Sequence, residues 1–197
     1  MRYRREDVVD RALGVLDAYG LADLTMRRLG AELGVQPSAL YHHFATKQLL
    51  LAAVADEILA RGPHTSRPDR WDDAVALACR DLRDAVLAYR DGAEVVATSS
   101  AFGLGAAAPY DDLVGALAAA GLDANLVPVA ARTLLHFVLG HATDEQTHLQ
   151  AGSAGAIEDD PRPDSDFAAG LGLVLDGIRL RAQDRSGIEK RPTRPGA

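Results

Sequence analysis

The sequence holds one cysteine, one tryptophan and two methionines, and only 5% of its 197 residues are aromatic. A lone Cys79 excludes an intrachain disulfide and suits a reducing compartment. No apolar run is long enough to span a bilayer: the longest stretch free of charge, 95–110, is short and broken by Gly, Ser and Pro. The opening MRYRREDVVDRALGVLDAYG carries charges where a secretory signal needs an apolar centre. A basic excess is missing too. A formal net charge of −7 argues against a protein that coats nucleic acid indiscriminately. These absences lead to the expectation of a soluble, cytoplasmic protein with no membrane partner.

What is present is Ala, Leu and Val in quantity. At 48% hydrophobic residues the chain has ample material for a core, and with so few aromatics that core must be largely aliphatic. Ala and Leu carry little conformational penalty in helices, so the mixture favours an all-α fold. Charge is unevenly spread. Residues 1–50 hold seven Lys/Arg against six Asp/Glu, which leaves 14 basic against 22 acidic residues in the remainder. The first fifty residues can therefore approach a polyanion that the rest would repel.

Periodicity supports the helical reading, and neither an internal repeat nor a strand pair is visible. Val8, Val9, Ala12, Leu13, Leu16 and Tyr19 keep helical spacing, with Gly20 placed to stop the run. Thr25 can cap a second helix bearing Met26, Leu29 and Leu33, ended by Gly34. Pro37 suits the first turn of a third, an eight-residue rod reaching Phe44. Thr46 caps a fourth, which carries Leu50, Ala53, Val54, Glu57 and Ile58 to about Arg61. After a break at 62–71, Trp71 opens a long helix to about Tyr89, punctuated by Arg90-Asp91-Gly92. Residues 93–108 suggest a short helix and then a loop, followed by helices at about 109–120 and 125–143. The Gly-, Pro- and acid-rich segment 148–166 reads as a mobile loop, 167–183 as the last helix, and 184–197 as a disordered tail. The division expected is 1–46, 47–183 and 184–197.

The third helix poses a chemical question. Only Leu40 and Phe44 suit burial, so Ser38, Ala39, Tyr41, His42 and His43 face outward. Taken singly, Tyr41 and the histidines are as well explained as amphipathic cover for a small core. Taken together they suit a surface that meets a ligand. Three short helices within fifty residues, the last two separated by LGVQP, have helix-turn-helix spacing, in which the second helix of the pair lies in the DNA major groove. Tyr41 can then reach a phosphate, and His42 and His43 base edges or phosphates, while small Ser38 and Ala39 allow close approach. Lys47 lies in the first turn of the next helix, where backbone amides already attract phosphate. Thr25 and Arg27 do similar duty at the start of the second.

LTMRRLGAELGVQPSALYHHFATKQLL resembles the DNA-binding head of the tetracycline-repressor (TetR) family of regulators, with the L-T-x-R-x-L-A/G-x-x-L-G-V, L-Y-x-H-F and x-K-x-x-L-L elements in order and without gaps. The resemblance covers about residues 5–60. It implies that Thr25, Arg27, Gln36, Pro37, Ser38, Ala39, Tyr41, His42, His43 and Lys47 face the operator. It also implies an N-terminal three-helix helix-turn-helix domain followed by a larger helical ligand-binding and dimerisation domain.

Beyond the head, RDGAEVVATSSA, LLHFVLGHATDEQTHLQAG and FAAGLGLVLDGI resemble segments of the repressor that gives the family its name. There the first two line the drug pocket, and the last, with the helix before the loop, builds the dimer interface. Gly170, Gly172 and Gly177 support such an interface independently. Each costs a helix roughly 1 kcal/mol relative to Ala, which makes sense where helices approach closely, either across a two-fold axis as a four-helix bundle or within one subunit. The pocket expected from resemblance and polarity contains His64, Leu82, Val96, Ser99, Phe102, His136, Phe137 and Asp144. His64 matches the pocket histidine that follows the fourth helix in that repressor, with an exposed GPHTSRP loop as the equal alternative; His136 lies mid-helix, where a histidine is more often a satisfied core residue. The metal-binding histidine falls at Val96, the glutamate that holds the ion's water at Asp144, and a pocket asparagine and phenylalanine at Ala78 and Leu82. Tetracycline with magnesium fits these changes poorly. A small, largely apolar and metal-free effector fits better, with no cofactor.

One enzymatic reading competes. His141, Asp144, Glu145 and His148 stand at i, i+3, i+4 and i+7, and imidazoles and carboxylates on one helix face can bind zinc or iron. Placed where a helix runs into a loop, they lack preorganisation and a second layer of partners. No Ser/His/Asp order, phosphate loop or dinucleotide fingerprint occurs elsewhere. The sequence therefore leads to a homodimeric, ligand-responsive repressor on a palindromic operator, with a transcriptional activator of the same fold as the alternative.

Overall fold

The expected all-α chain is what forms. A computed structural model describes residues 3–153 and 166–189, with side chains through 183, and contains nine α-helices and no strand among those residues. They are α1 (Arg5–Tyr19), α2 (Met26–Leu33), α3 (Pro37–Tyr41), α4 (Lys47–Ala60), α5 (Trp71–Leu87), α6 (Gly92–Ala101), α7 (Ala108–Leu117), α8 (Val127–Ser153) and α9 (Phe167–Glu189). Helices α1 to α3 form a small head whose interior is Val8, Leu13, Leu16, Leu29, Leu40 and Phe44. Helix α4 leaves that head and enters the body, burying Leu50, Val54, Ala55 and Ile58 as it packs on α1 and then on α5 and α6.

Four departures from the periodicity have local causes. Tyr19 was expected in the apolar stripe of α1, yet it is 44% exposed and its ring is covered by the Arg28 guanidinium at 3.5 Å. The rod at Pro37 is five residues long, not eight. After Tyr41 the chain tightens into a turn in which His43 N–H and Phe44 N–H both donate to the Leu40 carbonyl (2.9 and 3.0 Å). Helix α8 does not stop near residue 143 but continues to Ser153, through the first part of the expected loop. Buried Gln146 accounts for this: its amide donates to the Val86 and Tyr89 carbonyls (3.1 and 2.8 Å) and accepts from Ala93 N–H (3.1 Å). A polar stretch stays helical because its neighbours satisfy it. Helix α9 likewise passes Gln183 to Glu189, so the tail expected from 184 is helical at its start. The rest of the expected loop, 154–165, and of the tail, 190–197, lies outside the described residues.

Helix α9 lies against the body through Phe167, Leu171, Leu175 and Ile178. One ion pair reinforces it. Asp72, 4% exposed at the start of α5, accepts from Arg70 (3.0 Å) and from Arg179 of α9 (2.9 Å). The hydrogen bond from Arg70, with that from Arg179, holds the Asp72 carboxyl down at about 2 despite its burial. Cys79 sits at 0% exposure on the inner face of α5, and burial pushes its thiol up to about 12, which makes it an inert core residue.

Because the folded carboxyl of Asp72 titrates below its ordinary 3.8, the unfolded chain binds the extra proton first. The stability contributed by this group is complete above that value and is lost as pH falls towards 2. Asp72→Asn is expected to lower unfolding free energy at pH 6 by about 1–3 kcal/mol. The gap from the unsubstituted protein should close as urea denaturation is repeated from pH 4 down to pH 2.5.

Candidate DNA-reading surface and ligand cleft

The head is built by backbone contact between α2 and α3. Thr25 caps α2, its Oγ1 accepting from Arg28 N–H at 3.1 Å. Gly34 ends the helix in the left-handed region (φ 66°), where glycine carries no steric penalty. The turn then folds back so closely that Val35 N–H donates to the Gly30 carbonyl at 2.9 Å, and a Cβ on Gly30 would stand 2.9 Å from the Val35 carbonyl oxygen. This close approach, with Leu40 and Phe44 buried beneath, fixes which side of α3 faces out. Thr46 caps α4, accepting from Leu49 N–H at 3.2 Å, and Lys47 opens that helix three residues after buried Phe44.

None of the ten residues expected at the operator is buried. Thr25, Arg27, Gln36, Ser38, Tyr41 and His42 are exposed, and Pro37, Ala39, His43 and Lys47 are half-buried. Tyr41 keeps 50% of its surface in solvent, so it is not cover for the small core. Arg28, adjacent to Arg27, has a different use that the sequence reading missed. It stacks on Tyr19 and pairs with Asp23 at 3.3 Å, locking α2 to α1.

A second element missed in the sequence joins head to body. Asp91 sits between α5 and α6 at φ 55°, an uncommon conformation for a residue with a Cβ. Its Oδ2 accepts from Leu21 N–H of the α1–α2 connection at 2.7 Å, and its Oδ1 accepts from Gln150 of α8. Alongside, Arg90 N–H donates to Asp17 of α1 at 3.2 Å. Arg90-Asp91-Gly92 looked like punctuation; the carboxylate in that turn was the available signal.

The eight expected pocket residues do not converge. His64 and Leu82 share a cleft of about 470 Å³ between α4, α5 and α7, and His64 Nε2–H donates to the Ala60 carbonyl at its rim (2.9 Å). Ser99 and Phe102 border a separate groove of about 210 Å³ between α6 and the Lys47–Gln48 end of α4. His136 lies on a third, wider recess of about 1100 Å³ with Tyr110, Arg132 and Thr143. Val96 is a core residue at 1% exposure, because α6 turns that side towards the interior. Phe137 stacks on Phe167 at 5.5 Å and abuts Gly170, so it belongs to the α8–α9 packing. Asp144 is exposed on α8. Asp56, Asp81 and Asp112, which line the first cleft, were not anticipated; Asp81 on the otherwise apolar α5 face 74, 77, 78, 82, 85 was the legible clue.

The rival metal group is accounted for otherwise. Helix α8 does carry all four residues without a break, but Glu145 accepts two hydrogen bonds from Arg83 (2.7 and 2.8 Å) and His141 Nε2 meets Asp166 at 3.0 Å. With Arg83 over the Phe167 ring, these contacts fasten the start of α9. Among the described residues no three His, Cys, Asp or Glu side chains converge to hold a metal ion.

Residues 8–54 match the family described as bacterial regulatory proteins, tetR family, and residues 63–164 match the tetracyclin repressor-like C-terminal domain. The chain belongs to the TetR family. It is similar to the class A tetracycline repressor of Escherichia coli transposon 1721, 34% identical over 88% of this chain and 89% of that protein. Among solved structures, Mycobacterium smegmatis BioQ aligns at 43% identity with a TM-score of 0.84, covering 91% of this chain and 99% of that one. BioQ with its double-stranded DNA operator aligns at 42% identity and a TM-score of 0.77, covering 90% and 99%. ActR of Streptomyces coelicolor in complex with (S)-DNPA aligns at 28% and 0.76, covering 91% and 98%. This TetR-family chain is thus a DNA-binding transcriptional regulator and not an enzyme. No helix among its described residues is long and apolar enough to cross a membrane.

Asp91→Ala removes the acceptor that serves both Leu21 N–H and Gln150. It is expected to cost about 1–3 kcal/mol in urea denaturation. Limited proteolysis should cleave the α1–α2 connection faster than in the unsubstituted protein.

Proposed function

We propose that this regulator is a ligand-responsive repressor that binds a palindromic operator as a homodimer. One observation carries the reading. Helix α4 begins with Lys47, where the chain leaves the head, and, within the same 14-residue rod, presents Asp56, Leu59 and Ala60 to the 470 Å³ cleft. A molecule seated there touches the helix that carries the head. The ten surface residues of the head supply the operator contacts, with α3 lying in the major groove. An effector acts only through its preference for the DNA-incompetent state, and a hundredfold release needs about 2.7 kcal/mol of coupling.

The outer side of α9 supports dimerisation. Leu173 and Leu180 are 76% and 60% exposed, and no described residue lies within 4 Å of where a Cβ would stand on Gly172 or Gly177. An exposed apolar stripe beside bare backbone suits a second helix at close range. Gly170 is the exception among the three glycines, since Phe137 of the same subunit fills its side. Two heads related by such an axis would read half-sites about 34–36 Å apart. With a DNA partner, the protein's place is the cytoplasm. The operator-bound and ligand-bound forms of its relatives support both partners.

Titration of a fluorescent DNA fragment flanking its own gene tests the reading. Tyr41→Ala with Lys47→Ala should weaken binding on the order of 100-fold and reduce the salt slope by about 1, with the dimer intact. Unchanged affinity would exclude α3 as the reading helix. In sedimentation, Leu173→Glu with Leu180→Glu should convert a dimer to a monomer and remove operator binding; a persistent dimer would place the interface elsewhere.

A further inference from the structure

The cleft between α4, α5 and α7 contains one charge that the described residues do not answer. Of its three carboxylates, Asp56 accepts the Ala106 N–H at 2.7 Å and Asp112 pairs with Arg67. Asp81 is different. It is half-buried on α5, with Leu77 and Ala78 one turn before it, Leu82 next to it and Ala85 one turn after. Among the described residues no hydrogen bond or ion pair engages it. A carboxylate set in an apolar wall loses hydration without compensation unless something else supplies it.

The character of the missing partner follows from the lining. Three carboxylates face one guanidinium, so an anion entering the cleft is repelled. A neutral apolar molecule would desolvate Asp81 further with nothing in exchange. A bare metal ion is poorly served, since among the described residues no three suitable ligands converge. Ala74, Ala78 and Ala85 keep the α5 wall low, which leaves a slot for a flat body. We propose that the cleft binds an organic cation with a flat apolar body, its ammonium or amidinium-type group against Asp81. This rests on the reading of the cleft as the effector site and replaces a merely apolar effector with a charged one. Asp56, on α4, faces the same cleft while holding the 103–107 loop, so the ligand's charge acts on the helix that carries the head.

Two flat tricyclic fluorophores of similar size and opposite charge test this on the DNA-free protein: proflavine, a cation, and 9-anthracenecarboxylate, an anion. Proflavine should bind saturably, one per chain, at least about tenfold tighter than the anion. Asp81→Asn should weaken proflavine about tenfold, whereas Asp84→Asn, the same change of charge on the exposed side of α5, should not. The urea midpoint of Asp81→Asn should stay level or rise, because an uncompensated charge is removed; a fall would point to a structural role and overturn the proposal. Equal affinity for the two dyes, or indifference to Asp81→Asn while Ala78→Trp blocks binding, overturns the cationic ligand and leaves the cleft as the effector site. Dye binding untouched by Ala78→Trp, or no saturable binding of either dye, overturns both.

Discussion

Burial of α4 on two flanks is the constraint on which the rest of the molecule depends. Leu50, Val54 and Ile58 are all at 0% exposure, yet the helix meets the head through α1 and the body through α5 and α6. A close-packed helix does not bend gradually under load; its neighbours move with it or it stays put. The Asp91 bonds to Leu21 and Gln150 add a second tether, so the head is held at two places instead of swinging on one hinge. A regulator built this way can transmit a small displacement, because slack has been removed at both ends.

At the DNA end, the same logic is carried by glycine and by two apolar anchors. Gly30 lets the α2–α3 turn pass within backbone contact, and Leu40 and Phe44 then set the rotation of a helix only five residues long. The outward residues owe their position to what is packed beneath them. At the other end, the cleft places Asp56 and Leu59 of α4 opposite Asp81 and Leu82 of α5. Under the proposed function, occupancy there would act on α4 directly, without a relay through distant contacts.

How much of this was legible in the sequence depended on range. The head was readable residue by residue, because its caps, turn glycine and buried pair all lie within thirty positions and each has a local signature in Thr25, Gly34, Leu40 and Thr46. The length of α3 was overread, since Leu40 and Phe44 keep helical spacing even though the chain between them tightens into a turn. The body was readable as helices but not as a site. Val96 turns into the core while Ser99 and Phe102, a few positions on, border a groove, and His136 and Phe137, adjacent in sequence, serve a recess and the α9 contact respectively. Which helix faces which is a tertiary fact. The continuation of α8 past residue 143 was hidden for the same reason: Gln146 looks like a loop residue until Val86, Tyr89 and Ala93 arrive to bond it.

In the proposed repressor dimer, the state of the cleft sets the spacing of the two heads through α4. Pulsed dipolar spectroscopy between spin labels on Ser38→Cys in the two protomers measures this directly, since Cys79 is too buried to take a label. With the cleft open, the distribution should include separations near 34–36 Å, the interval of successive major grooves. With the cleft filled by Ala78→Trp, it should shift by several ångströms, roughly an element-scale displacement, and operator affinity should fall in step. A folded, dimeric Ala78→Trp protein with an unchanged distribution and unchanged operator affinity would contradict the coupling.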